Sequence, residues 1–112
     1  FLRECLGRSG AALSGGQQQM LAIGRILTGT PRLLILDEPS DGIQPNIVEA
    51  IGALIRELNE ETGLTTLLVE QNVDLITSCA HRCLVMEKGA IAAELPPGAL
   101  EDPDIAGRYL AI

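Results

Sequence analysis

Apolar positions Met20, Ile23 and Leu27 recur at helical spacing, with Ala22 and Ile26 beside them. Ser14 stands ahead of them as an N-cap, with Gln17 placed as in a capping box. Gly29 and Pro31 stop this helix. Leu33 to Leu36 is then a continuous apolar run, which reads as a strand buried on both faces and ends in Asp37-Glu38. Pro45 suits the first turn of a second helix, whose apolar face is Ile47, Ile51, Leu54, Ile55 and Leu58. Glu49, Arg56, Glu57 and Glu60 fall on its polar side, and Gly63 closes it.

Thr65 to Val69 is β-rich and runs into Glu70-Gln71-Asn72. Val73 to Ala80 reads as a short helix and Cys83 to Met86 as a strand. Lys88-Gly89 turns the chain so that Ala90 to Glu94 returns antiparallel. Pro96-Pro97-Gly98 breaks the pattern, and Asp102 to Leu110 forms a last short helix over the sheet. Phe1 to Ala12 reads only as a helix end and a loop.

Composition narrows the class. At 112 residues the chain makes one small domain or part of a larger one, and 46% apolar residues supply a core. No apolar run approaches the ~18 residues of a membrane span. The start, Phe1-Leu2-Arg3-Glu4, has neither an initiator Met nor a signal-peptide pattern, so the chain is expected to begin within a longer protein. A net charge of −7 argues against nucleic acid bound through a basic surface. Cys5, Cys79 and Cys83 read as reduced, buried thiols. Cys79-x-His81-x-Cys83 offers too few ligands for a zinc site. His81 stands at the end of a helix rather than of a strand and is assigned a surface or helix C-terminal role, not a catalytic one.

Two stretches carry candidate chemistry. In Leu13-Ser14-Gly15-Gly16-Gln17, two residues without Cβ let a ligand approach the backbone at the positive end of a helix. With the serine hydroxyl, they form a site for phosphate oxygens. A short S-G-G pattern also serves as an ordinary capped helix. The full L-S-G-G-Q run followed by Q-Q and an apolar helix favours the phosphate reading. Asp37 and Glu38 sit at the carboxyl end of a strand, where open α/β sheets bind ligands. There Asp37 can hold Mg²⁺ through water and Glu38 can orient an attacking water. A solvated turn is the plainer reading of a lone D-E pair, but the apolar run before it and Pro39 after it favour a site.

In this order and spacing, Leu13 to Gln17 and Leu33 to Glu38 resemble the signature and Walker B motifs of an ABC-transporter ATPase domain. The resemblance covers nearly the whole chain and implies an α/β fold. That fold is the second half of a P-loop NTPase domain, a mostly parallel sheet with flanking helices and a C-terminal β-hairpin. It implies that residues 1–112 are the C-terminal portion of a single nucleotide-binding domain. Leu13, Ser14, Gly15, Gly16 and Gln17 would contact the γ-phosphate of ATP bound to the opposite subunit. Asp37 would be the metal-side carboxylate for Mg²⁺ and Glu38 the catalytic glutamate. Asp41 to Pro45 would cover the D-loop that touches the partner. Two ATPase subunits, identical or paralogous, would close on two ATP molecules and drive membrane permease subunits. The protein would sit in the cytoplasm, peripheral on the inner face of the cell membrane.

Two positions depart from the family pattern. Gln71 stands where the family usually has a switch histidine; its amide donates a hydrogen bond but cannot carry an imidazolium charge. Gln44 stands where the D-loop usually has Asp. Val69-Glu70-Gln71-Asn72 resembles importers of the LivF type, which serve branched-chain amino acids, and their urea and short-chain amide relatives. No G-x-x-x-x-G-K-[ST] occurs, and the family's Gln-loop is missing too, so these residues alone are expected to bind ATP weakly or not at all. A non-transport ABC ATPase and a non-catalytic ABC-like interaction module are the rival readings. The first is disfavoured by the V-E-Q-N run, the second by the intact acidic pair.

Overall fold

A computed structural model describes residues 2–109 of the chain. The capping box forms as the sequence predicts. The Ser14 hydroxyl accepts from the Gln17 amide and Gln17 Oε1 accepts from the Ser14 amide, opening helix α1 (Gly15–Leu27). Past its end it is Thr30, not Gly29, that takes a left-handed φ of 48°. Strand β1 (Leu33–Asp37) comes next, then helix α2 (Pro45–Thr62), which starts on Pro45 and ends at Gly63 with φ 68°. Strand β2 (Thr65–Val69) runs parallel to β1, with Leu34 beside Thr66 and Leu36 beside Leu68. Asn72 accepts from the Leu75 amide and caps helix α3 (Val73–Cys79). Strands β3 (Cys83–Glu87) and β4 (Ala90–Leu95) form an antiparallel hairpin; Lys88 and Gly89 both take positive φ at its turn.

The core lies on one face of the β1–β2 pair. Leu34 and Leu36 meet Ile23 of α1, Val48, Ile51 and Ile55 of α2, and Leu75 and Cys79 of α3. Val48 belongs to this core although the sequence pattern did not single it out. Burial of the described residues alternates along β1, so the expectation of a strand buried on both faces is corrected. Leu33 and Ile35 are 52% and 60% exposed, and Leu67 and Val69 of β2 lie beside them on the same open face. The cause is topological: α1, α2 and α3 all pack on the other side.

Three smaller expectations are also corrected. Residues 2–5 and 10–12 form 3₁₀ turns rather than a helix end and loop. Only Cys79 is buried; Cys5 and Cys83 are half-buried, and all three are free thiols. The final helix α4 (Pro103–Tyr109) packs mainly against a 3₁₀ segment, Pro97–Glu101, rather than over the sheet. Phe1 and Leu110, which the sequence pattern includes in its terminal segments, lie outside the described residues. No helix among the described residues is long and apolar enough to cross a membrane.

Candidate functional site

Strands β1 and β2 are parallel and in register, so their carboxyl ends deliver two turns to the same edge. β1 ends at Asp37, which is exposed and takes part in neither ion pair found among the described residues. Glu38 follows with φ 43°, a left-handed conformation that is uncommon outside glycine. Its amide still bonds the ladder, donating to the Val69 carbonyl at 2.8 Å. The chain then tightens: the Asp41 amide donates to the Glu38 carbonyl at 3.1 Å and the Ile43 amide to the Ser40 carbonyl at 3.2 Å. Pro39 is fully buried beneath this turn.

The turn after β2 closes on the first. Gln71 Nε2 donates to Glu38 Oε1 at 3.1 Å, bringing together two residues 33 positions apart. Sequence reasoning missed Glu70, which joins the two turns more extensively. Its Oε1 accepts from the Ser40 amide at 3.0 Å, and its Oε2 accepts from the amides of Gln71 at 2.7 Å and Asn72 at 3.0 Å. Burial is the largest single influence on this carboxyl and pushes its pKa up. The bonds from Ser40, Asn72 and Gln71 together outweigh burial and hold it below the ordinary glutamate value. The signal available in sequence was a carboxylate at a strand end, just before an N-capping Asn. Between the two turns lies an open cleft of about 290 Å³.

The Leu13–Gln17 segment does not line this cleft, and neither does Asp37. At the start of α1 that segment exposes Ser14 and Gly15, while Leu13 is buried and Gln17 half-buried. Gln18 Nε2 steadies the approach by donating to the Leu13 carbonyl at 3.2 Å. The two glycines differ. Space is open where a Gly15 Cβ would stand, so a ligand can reach the backbone there. Gly16 is buried, and a Cβ on it would lie 2.9 Å from Ile47 Cγ2 and 3.1 Å from Ile43 Cγ2. Gly16 therefore has a packing reason as well as the ligand-facing one read from sequence. Asp37 as a single exposed carboxylate fits a Mg²⁺ that keeps most of its waters and leans on substrate phosphates. No cluster of three or more His, Cys, Asp or Glu side chains exists among the described residues for a tighter site.

The family model described as "ABC transporter" matches residues 1–41. A high-affinity branched-chain amino acid transport ATP-binding protein, BraG of Pseudomonas aeruginosa, is 43% identical over 110 residues, covering 97% of this chain and 47% of that protein. The chain belongs to the ABC transporter ATP-binding family. It spans about half the length of that relative. A methionine import ATP-binding protein, MetN of Brucella abortus, is 40% identical over 77% of this chain and 23% of its own length. The crystal structure of a nucleotide-free ATP-binding cassette from an ABC transporter superposes with a TM-score of 0.84 at 29% identity. It covers 99% of this chain and 45% of that one. As a member of the family the chain has the expected α/β cassette fold with its C-terminal antiparallel hairpin.

Proposed function

We propose that this chain is the C-terminal portion of the nucleotide-binding domain of an ABC importer's ATPase subunit, and that it carries the residues that activate water for ATP hydrolysis. One observation carries the reading: Glu38 and Gln71, from the ends of two parallel strands, meet at 3.1 Å above a cleft. Glu38 Oε1 is held by the amide, which leaves Oε2 to accept from a water and orient it for in-line attack on the γ-phosphate. The second N–H of the Gln71 amide is free to donate to a phosphate oxygen. Mg²⁺, held beside Asp37, would neutralise phosphate charge. Leu13, Ser14, Gly15, Gly16 and Gln17 would meet the γ-phosphate of ATP held by a second ATPase subunit. The apolar face of Leu33, Ile35, Leu67 and Val69 is suited to packing against the remainder of such a domain.

The transport partners would be membrane permease subunits, placing the protein on the cytoplasmic face of the membrane. Similarity to a branched-chain amino acid transport protein and the Val69-Glu70-Gln71-Asn72 run favour branched-chain amino acids or urea and short-chain amides as cargo. The test is Mg-ATP hydrolysis by the product of the complete gene with Glu38→Gln. Turnover is expected to fall by about 10²-fold or more while ATP is still bound. Hydrolysis at the unsubstituted rate would overturn the assignment. Stimulation of the reconstituted transporter by leucine, urea or methionine with their binding proteins separates the cargo classes.

A further inference from the structure

The hydrolytic pair depends on two turns that no covalent feature holds together. Glu38 leaves β1 in a left-handed conformation, and Gln71 stands two residues past the end of β2. Each side chain is exposed, so neither is fixed by packing. The direct link between the turns is the 3.1 Å amide–carboxylate bond together with the Glu38 N–H bond to Val69. A single solvent-facing hydrogen bond holds such geometry weakly.

Glu70 supplies what is missing. Its two carboxylate oxygens take three backbone N–H groups, at 3.0, 2.7 and 3.0 Å, from residues on both turns. Bonds from amides to an ionised carboxylate are shorter and stronger than neutral ones. One of the amides is that of Gln71, so the bond fixes the backbone from which the Glu38-holding side chain springs. Another is that of Ser40, two residues past Glu38. Glu70 lines the cleft, but its side chain bonds to no group of Gln71 or Glu38 other than that backbone N–H.

Resting on the hydrolytic reading of Glu38 and Gln71, we propose that Glu70 is a positioning residue. Its carboxylate clamps the turn after β1 to the turn after β2 and thereby sets the Gln71 amide on Glu38. A misplacement of about 1 Å at a reacting centre is enough to cost on the order of 10²-fold in rate. Glu70→Gln replaces one acceptor oxygen with an NH₂ group that faces backbone donors. Glu70→Asp keeps the charge but is one methylene too short to span both turns.

The experiment is steady-state Mg-ATP hydrolysis by the product of the complete gene, with thermal melting of each variant. Glu70→Gln is expected to lower kcat about 10-fold or more, with KM for ATP changed less than about 2-fold. Glu70→Asp is expected to fold and fall between the two. In a Gln71→Ala background the Glu70→Gln loss should largely vanish, because the clamp acts through Gln71. A purely structural clamp would instead shift KM along with kcat and add to Gln71→Ala in full. Unchanged kcat in either Glu70 variant, full additivity, or loss of fold in both Glu70 variants would overturn the proposal. Glu38→Gln run alongside separates the two claims. If it keeps hydrolysing, the hydrolytic reading fails; if it stops while Glu70→Gln does not slow, only the positioning role fails.

Discussion

Alanine at Gly16 should destabilise the protein, whereas alanine at Gly15, one residue earlier, should not. Both glycines sit in the first turn of α1, so their intrinsic helix propensities favour alanine alike, by about 0.5–1 kcal/mol in a helix interior and less at an end. What separates them is the space outside. A Cβ on Gly15 meets nothing within 4 Å. A Cβ on Gly16 meets Ile47 at 2.9 and 3.2 Å and Ile43 at 3.1 Å, closer than carbon atoms pack without strain. The neighbours are β-branched and stiff at χ1, so relief requires backbone movement of the turn or of α2. Overpacking of this kind costs about 1–3 kcal/mol. After the helix-propensity gain, Gly16→Ala should lose roughly 0.5–2 kcal/mol while Gly15→Ala changes little or gains slightly. Urea denaturation of the two variants beside the parent protein measures this directly, with unchanged m-values required for the comparison. Equal stability of both variants would refute the packing argument.

Two further outcomes are expected of the site. Gln71 is uncharged at every accessible pH, so Gln71→His should add to the hydrolysis rate a titration near the ordinary histidine pKa of about 6.5 that the parent lacks. A pH–rate profile of the two proteins checks it, and identical profiles would refute it. Glu70 has its pKa held below the ordinary glutamate value of 4.5, so its ionised form favours the folded state. That stability is fully present above about pH 4.5 and is lost as pH falls through the lowered folded pKa. Denaturation midpoints of the parent and Glu70→Gln should therefore differ most at neutral pH and converge in acid; a gap that persists or widens there would refute the sign.

The elements were legible because each carries its own punctuation. Ser14 and Gln17, Pro45 and Gly63, and Lys88-Gly89 mark ends through local chemistry that tertiary contacts did not override. The acidic pair at the end of β1 was legible for the same reason: an apolar run has to stop somewhere, and the polar residues past its end face solvent. The one-sided burial of β1 was not, because a run of four apolar residues says that both faces avoid water without saying what covers them. Glu70 was not legible because its partners are backbone amides, which every residue other than proline has. Only the register of β1 against β2 brings the Ser40 N–H within reach of a residue 30 positions later. Gly16 was half-legible: absence of a Cβ was read as access for a ligand, when the same absence also admits Ile43 and Ile47 from inside.

These particulars connect the two motif regions although they line different surfaces. Gly16 rests against Ile43; the Ile43 amide bonds the Ser40 carbonyl; the Ser40 amide bonds Glu70; and Glu70 holds the amide of Gln71, whose side chain holds Glu38. Every step is a close packing contact or a hydrogen bond of 3.2 Å or less. The turn from Pro39 to Gln44 is thus shared: its far end is shaped by the first turn of α1 and its near end by the clamp beside the cleft. A loop with so many fixed neighbours has little freedom to adjust at one end alone, because packed interiors shift between discrete arrangements rather than deform smoothly. Sequence distance separates the Leu13–Gln17 loop from the Glu38–Gln71 pair, but the fold places a single short turn between them.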